Sequence, residues 1–183
     1  MQKKIISIFI FIILVLESLS GCGFRLKGFY NLKDKEYNNI TISLVSGPKN
    51  HDARILNRLK QGIKSYNFKY TDNITLSNYY IEIIDAKYNK EIQTKSATGL
   101  VKQYLLTFYV SYSIHKHGIG NEFTVVKPID IVNLEKDYTY EPQNVLGSDS
   151  EEDIIAGNLR KEASTRILDV LTQIIDEKNS TSK

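Results

Sequence analysis

With 183 residues, 42% hydrophobic and 25% charged, the chain has the size and balance of a protein with one packed domain, and it carries no low-complexity tract. Its formal charge is only +3, and removal of residues 1–21 would take Lys3, Lys4 and Glu17 away, leaving 22 basic and 20 acidic side chains. That balance argues against a protein that grips nucleic acid by bulk charge, and a single cysteine excludes an intramolecular disulfide.

The N-terminus is the most informative stretch. Met1-Gln2-Lys3-Lys4 is a short positive region, and Ile5–Leu16 is a 12-residue apolar run broken only by Ser7. At 1.5 Å per residue that run covers about 18 Å, against roughly 30 Å of bilayer hydrocarbon. Lys4 and Glu17 bracket it, so it cannot lengthen without burying charge. It is too short to span a membrane and suits a signal peptide. Leu19-Ser20-Gly21-Cys22 follows directly and matches the bacterial lipobox. There, small residues let the peptidase approach the backbone, and a thiolate accepts the glyceryl group. The reading expects a signal peptide over 1–21, cleavage between Gly21 and Cys22, and a diacylglycerol and an N-acyl chain such as palmitate on Cys22. Gly23 stands where an aspartate would favour inner-membrane retention, so the outer membrane is the expected destination.

Residues 22–37 read as a lipidated tether with a charged Lys33–Glu36 cluster. Asn39–Ser46 alternates, with Ile40, Ile42 and Leu44 on one face, and Gly47-Pro48 is expected to end that strand. Residues 52–66 place Ile55, Leu56, Leu59, Ile63 and Tyr66 at helical spacing, capped by Asn50 or Asp52. Phe68–Tyr70 can start a short strand. Ser77–Lys87 alternates Tyr79, Ile81 and Ile83 against Tyr80, Glu82 and Ile84, and Asn89–Gly99 is either a loop or an extension of the flanking strands. Lys102–His115 is the clearest strand, with Leu106, Phe108, Val110, Tyr112 and Ile114 on one face. After a Gly118/Gly120 hairpin tip comes Glu122–Leu134, with Phe123, Val125, Ile129 and Ile131 in phase. Pro128 lacks an N–H and assigns that strand to an edge or a bulge. Residues 135–149 read as a loop.

Ser150–Glu177 reads as a long helix, with Ser148-x-x-Glu151 and Ser150-x-x-Asp153 as capping boxes. Its expected buried stripe is Ile154, Ile155, Leu159, Ala163, Ile167, Leu171, Ile174 and Ile175. Residues 179–183 read as a disordered tail. The elements fit one α+β domain over 38–178, a two-layer sandwich with two helices packed on one face of a roughly four-stranded sheet.

Chemistry is sparse. His115 and His117 share a strand face but lack a third ligand nearby, and Glu151-Glu152-Asp153 is explained by a helix start. No Ser/His/Asp set, Cys–His pair or phosphate-cradling glycine loop appears, so neither an enzyme nor a metal or cofactor site is expected. Lys87, Lys90, Lys95 and Lys102 form the basic set around the middle loop. They read either as a solubilising face or as an anion site.

Several blocks together resemble the LptE family of lipopolysaccharide-assembly lipoproteins. Cys22-Gly23-Phe24-Arg25-Leu26-Lys27 is similar to the family's CG-aromatic-basic-Leu-basic opening. Lys102-Gln103-Tyr104 leads into the long strand. The last helix is entered by Glu151-Glu152-Asp153-Ile154-Ile155 and continues through Arg160, Ala163, Ile167 and Leu168. The resemblance implies an outer-membrane lipoprotein, bound to the membrane by its lipid, that plugs and helps assemble the β-barrel LptD for delivery of lipopolysaccharide to the cell surface. It also implies lipopolysaccharide contact through basic residues, for which Lys95 is the nearest match and Lys102 the second. Where the family can carry a basic residue before the last helix, this chain has Ser148 in an acidic setting, so the resemblance supports the plug role more than direct lipid handling. The alternative is another envelope-assembly or transporter-accessory lipoprotein with a small α+β binding domain.

Overall fold

The computed structural model describes residues 37–118, 120, 122–140 and 145–181. The chain divides into two units, Met1–Lys35, which lies outside the described residues, and Glu36–Lys183. In order, the second holds β1 (Thr41–Asn50), α1 (Arg54–Ser65), β2 (Lys69–Tyr70), a 3-10 turn at Ile74–Leu76, β3 (Tyr79–Lys95), β4 (Val101–His117), β5 (Phe123–Thr139) and α2 (Val145–Thr181). The strands form one sheet in the order β2-β1-β3-β4-β5. β1 is parallel to β2 and β3, while β3, β4 and β5 form an antiparallel meander. The fifth strand is the two-residue β2, and the α+β sandwich stands as expected.

Alternation along the strands sends Ile42, Ile81, Ile83, Leu106, Phe108, Val110, Tyr112 and Ile114 to one face, where all are buried. Ile55, Leu59 and Ile63 of α1 and Leu159, Ala163, Ile167, Leu168, Leu171 and Ile175 of α2 complete the core. α1 ends where Asn67 takes a left-handed φ of 60°. The Phe68 N–H then reaches the Ile63 carbonyl at 3.0 Å and the Asn67 N–H reaches Lys64 at 3.1 Å, so two otherwise unpaired carbonyls are satisfied. Gly62 is tolerated inside α1 for a packing reason: a Cβ there would fall 2.5 Å from Leu168 Cδ1 on α2.

Several expectations change. Gly47-Pro48 does not end β1, which continues to Asn50 through a register shift between Ser46 and Lys49. A side chain at Gly47 would meet the Ile83 carbonyl oxygen at 2.9 Å, so glycine is what lets the backbone pass. Of the two readings of Asn89–Gly99, the strand extension holds as far as Lys95, where β3 ends before the Gly99 turn (φ +82°). Within residues 135–149, β5 runs to Thr139 and α2 starts at Val145. Ser148 and Ser150 therefore lie inside α2 and not at its start, because helix propagation fixes one residue per hydrogen bond gained and continues past a locally plausible cap. Ile154 is 63% exposed. It lies five residues before Leu159, about 140° round the helix from the buried stripe. α2 continues to Thr181, three residues into the stretch expected to be disordered.

β5 is an edge strand, and Pro128 also sits in an irregularity, since Tyr112 pairs with Asp130 while Ile114 pairs with Lys127. The in-phase set on β5 is not its core face. Val125, Ile129 and Ile131 are more than half exposed, while Val132, Leu134 and Tyr138 are buried.

Three tyrosines tie the rest of the domain to α2. Tyr37 donates to Asp176 Oδ1 at 3.1 Å, Tyr66 to Asp169 Oδ1 at 2.6 Å and Tyr88 to Glu152 Oε1 at 3.0 Å. Burial, reinforced by the Asp176 carboxylate, pushes the Tyr37 phenol up to about 12, and Tyr66 and Tyr88 are pushed up for the same reasons. An unfolded tyrosine ionises near 10, so the unfolded chain releases protons that the folded chain still holds. The contribution of Tyr37 is therefore complete below about pH 10 and is lost as pH rises through about 12. Urea midpoints measured from pH 9 to 12 should fall steadily, and Tyr37→Phe should make that fall shallower. A flat profile in the wild type would contradict the latch.

Candidate functional site

The expected lipidation and cleavage residues, Cys22 and Gly21, lie outside the described residues. The structure does fix where the chain enters the domain. Tyr37 is 4% exposed, its ring lies 4.7 Å from that of Phe68, and its hydroxyl holds Asp176 near the C-terminal end of α2.

The other end of the sheet carries the basic set. β3 and β4 extend as a hairpin arm closed by the turn Ser96–Leu100, where Ser96 N–H donates to the Leu100 carbonyl at 2.7 Å. Residues 91–102 are exposed except for half-buried Ser96 and Val101. Lys95 pairs with Val101 and Thr94 with Gln103, so Lys102 is the extra residue of a bulge. The arm therefore brings Lys95 and Lys102 within a residue of one another across the strands, both exposed. Ile92 and Leu100, 51% and 60% exposed, stand beside them. Cations next to uncovered apolar side chains suit an amphipathic anion.

The remaining two lysines of the set do not join this site as free charges. Lys90 ion-pairs with Glu152 of α2 and lies over the Tyr104 ring, 4.2 Å from its centroid. Its ammonium therefore closes the layer between arm and helix. Lys87 is exposed further back along β3. Glu152 accepts from both Lys90 and Tyr88, which gives part of the acidic run a packing role that chain-local reasoning assigned to a helix start.

His115 and His117 do share a face but have separate partners. His115 Nε2 lies 2.8 Å from Ser113 Oγ and 3.6 Å from Glu82, while His117 Nδ1 lies 3.1 Å from the Ser77 carbonyl. Tyr80 stacks on His115 at 4.2 Å and Phe123 stacks on His117 at 4.7 Å. Among the described residues no group of three or more His, Cys, Asp or Glu side chains could hold a metal. Among the same residues, no helix is long and apolar enough to cross a membrane. Within the stretch 135–149, read from sequence as a loop, Tyr138 belongs to β5, is 1% exposed and stacks near Tyr104 at 6.1 Å.

The LptE family model, described as lipopolysaccharide-assembly, matches residues 37–171. Among solved structures, the rare lipoprotein B from Shewanella oneidensis is 18% identical with a TM-score of 0.59, covering 76% of this chain and 98% of that one. A lipoprotein B from Nitrosomonas europaea is 19% identical with a TM-score of 0.60, covering 70% and 79%. A minor lipoprotein from Acinetobacter baumannii is 14% identical with a TM-score of 0.53, covering 72% and 87%. These likenesses establish a shared fold. No curated protein matches the sequence.

Proposed function

Because the chain belongs to the LptE lipopolysaccharide-assembly family, we propose that it is an outer-membrane lipoprotein, anchored through Cys22, that plugs and helps assemble an LptD-type β-barrel for delivery of lipopolysaccharide to the cell surface. The observation that carries this reading is the family match across residues 37–171, which spans every strand, α1 and α2 as far as residue 171. The lipobox after a complete signal architecture supports the anchor, and Gly23 supports the outer membrane. A near-neutral domain suits a partner bound by shape and hydrogen bonds more than a polyanion held by bulk charge. The arm with Lys95, Lys102, Ile92 and Leu100 supports contact with a phosphorylated lipid. The Gly118/Gly120 tip, where Gly120 has a φ of +80°, is a second exposed projection that could conform to a lumen wall.

Processing provides the first test. Mass spectrometry of the mature N-terminus should find Cys22 first and acylated, and Cys22→Ser should leave the precursor uncleaved. An unmodified Cys22 removes the anchor from the proposal. Detergent extraction should bring the barrel out with the protein, and depletion should lower assembled barrel and surface lipopolysaccharide together. Normal levels of both would defeat the plug reading. Within the arm, Lys95→Glu should weaken lipopolysaccharide binding about tenfold, the worth of one or two charge-assisted contacts, while barrel association persists. Unchanged binding would move the contact elsewhere.

A further inference from the structure

The β3–β4 hairpin outruns the strands beside it. Among the described residues, β1 accompanies β3 only as far as Ala86, whose carbonyl accepts the His51 N–H at 3.1 Å. On the other side β5 accompanies β4 to Gln103, and the Tyr140 N–H adds one bond to the Lys102 carbonyl at 2.9 Å. The rest of the arm is a two-stranded ribbon, which twists readily and is marginal in water without further packing. Its root must therefore be fastened if Lys95 and Lys102 are to hold one place.

One carboxylate meets that root. Glu152 of α2 accepts the Tyr88 hydroxyl at 3.0 Å and ion-pairs with Lys90, and the two partners stand two residues apart on one face of β3. The Lys90 ammonium lies 4.2 Å from the Tyr104 centroid and 5.7 Å from that of Tyr138. Tyr104 in turn meets Tyr140 edge-on at 5.7 Å. Three strands and a helix thus build a cage around one ammonium group. The Lys90 and Glu152 side chains are 30% and 20% exposed, so the pair is shielded beyond an ordinary surface ion pair. Burial works against the Lys90 charge, but the Glu152 carboxylate outweighs it and holds the ammonium above its usual range. Lys95 stands five residues further along β3, roughly 16 Å at full extension, so no single phosphate reaches both lysines.

We propose that Glu152 and Lys90 are positioning residues: their caged pair fastens the arm to α2 and sets the place of Lys95 and Lys102, and Lys90 does not itself touch the ligand. The ligand half of this rests on the lipopolysaccharide reading of the arm, whereas the fastening does not. The same contact makes the first turns of α2 and the arm one mechanical unit, so a partner that displaces either moves the other.

Amide hydrogen exchange of the full chain in nonionic detergent reads the fastening without any ligand. Glu152→Ala and Lys90→Gln should each speed exchange of the paired amides of residues 90–94 and 103–106 by at least about tenfold, while those of β1 and α1 keep wild-type rates. Lys90→Arg, which keeps the charge, should stay slow. Titration with lipopolysaccharide reads the consequence: both single changes should weaken binding about fivefold through lost preorganisation. Lys90→Glu combined with Glu152→Lys should recover most of the exchange protection and most of the binding. A ligand-contacting Lys90 gives the opposite signs, since Glu152→Ala would free a cation and tighten binding, and the swapped pair would stay weak. Either result overturns the proposal, as does arm exchange indifferent to both single changes. No lipopolysaccharide binding by the wild type would defeat the ligand reading of the arm, and the exchange rates would still decide the fastening.

Discussion

Arg160→Ala is expected to destabilise the domain by about 3–5 kcal/mol, the range for removing one partner of a buried ion pair. Arg160 is 3% exposed and Asp52 is 6% exposed. Arg160 Nε donates to Asp52 Oδ2 at 2.8 Å, and Nη2 lies 2.6 Å from the same oxygen without hydrogen-bond geometry of its own. The contact is therefore one strong bond with a second charge contact, not a fork. Around it, the guanidinium faces the rings of Tyr88 and Phe108 at 5.4 and 5.6 Å. Asp52 has a second duty, because its Oδ1 accepts the Arg54 N–H at 3.1 Å and so caps α1. Truncating Arg160 would leave that carboxylate buried with Arg54, whose side chain is 65% exposed, as its ion-pair partner among the described residues. The expected signature is asymmetry. Arg160→Met combined with Asp52→Asn, which keeps a capping oxygen, should cost less than the sum of the two single changes. Urea denaturation at neutral pH measures this, and a loss below about 1 kcal/mol for Arg160→Ala would mean that water reaches the pair.

Phe108→Ala should cost a similar amount, roughly 3–5 kcal/mol, through a cavity. Phe108 is fully buried on β4, opposite Tyr88 of β3 and Leu134 of β5. Leu106 of the same strand and Ile167 of α2 are also fully buried, so strand and helix close tightly over the site. Because the ring also faces the Arg160 guanidinium, the two changes should not add, and their coupling should exceed about 0.5 kcal/mol. Equilibrium unfolding of the single and double variants gives that term directly. A cost under about 1 kcal/mol for Phe108→Ala would reverse the assigned faces of β4.

The elements most legible in the sequence are those where one periodicity runs long without interruption. β4 is such a case: five alternating apolar residues from Leu106 to Ile114 all reach the core. β5 misleads because its best alternating set, Phe123 to Ile131, lies on an edge strand whose register shifts beside Pro128. Alternation records that residues share a face, not which face is covered. The start of α2 misleads because capping chemistry is local and Ser148 and Ser150 satisfy its pattern within a helix already under way. Lys95 and Lys102 could be placed near one another from sequence because they flank a single turn. Lys90 could not be separated from them, since its partner Glu152 stands 62 residues further on.

The latch between Tyr37 and Asp176 joins residues 139 positions apart. The meander of β3, β4 and β5 needs only neighbouring hairpins and is suited to form early, whereas β1 must reach β3 past α1 and the core must wait for α2. Under the lipidation proposed above, a chain delivered N-terminus first would offer Cys22 for modification long before its domain can close. Tethering would then precede folding, and the open sheet face would await the last helix on a chain already confined to a surface. That order would spare a translocating chain a stable fold it would have to undo, and the closure of the core by α2 makes truncation within that helix a defect in closure as well as in length.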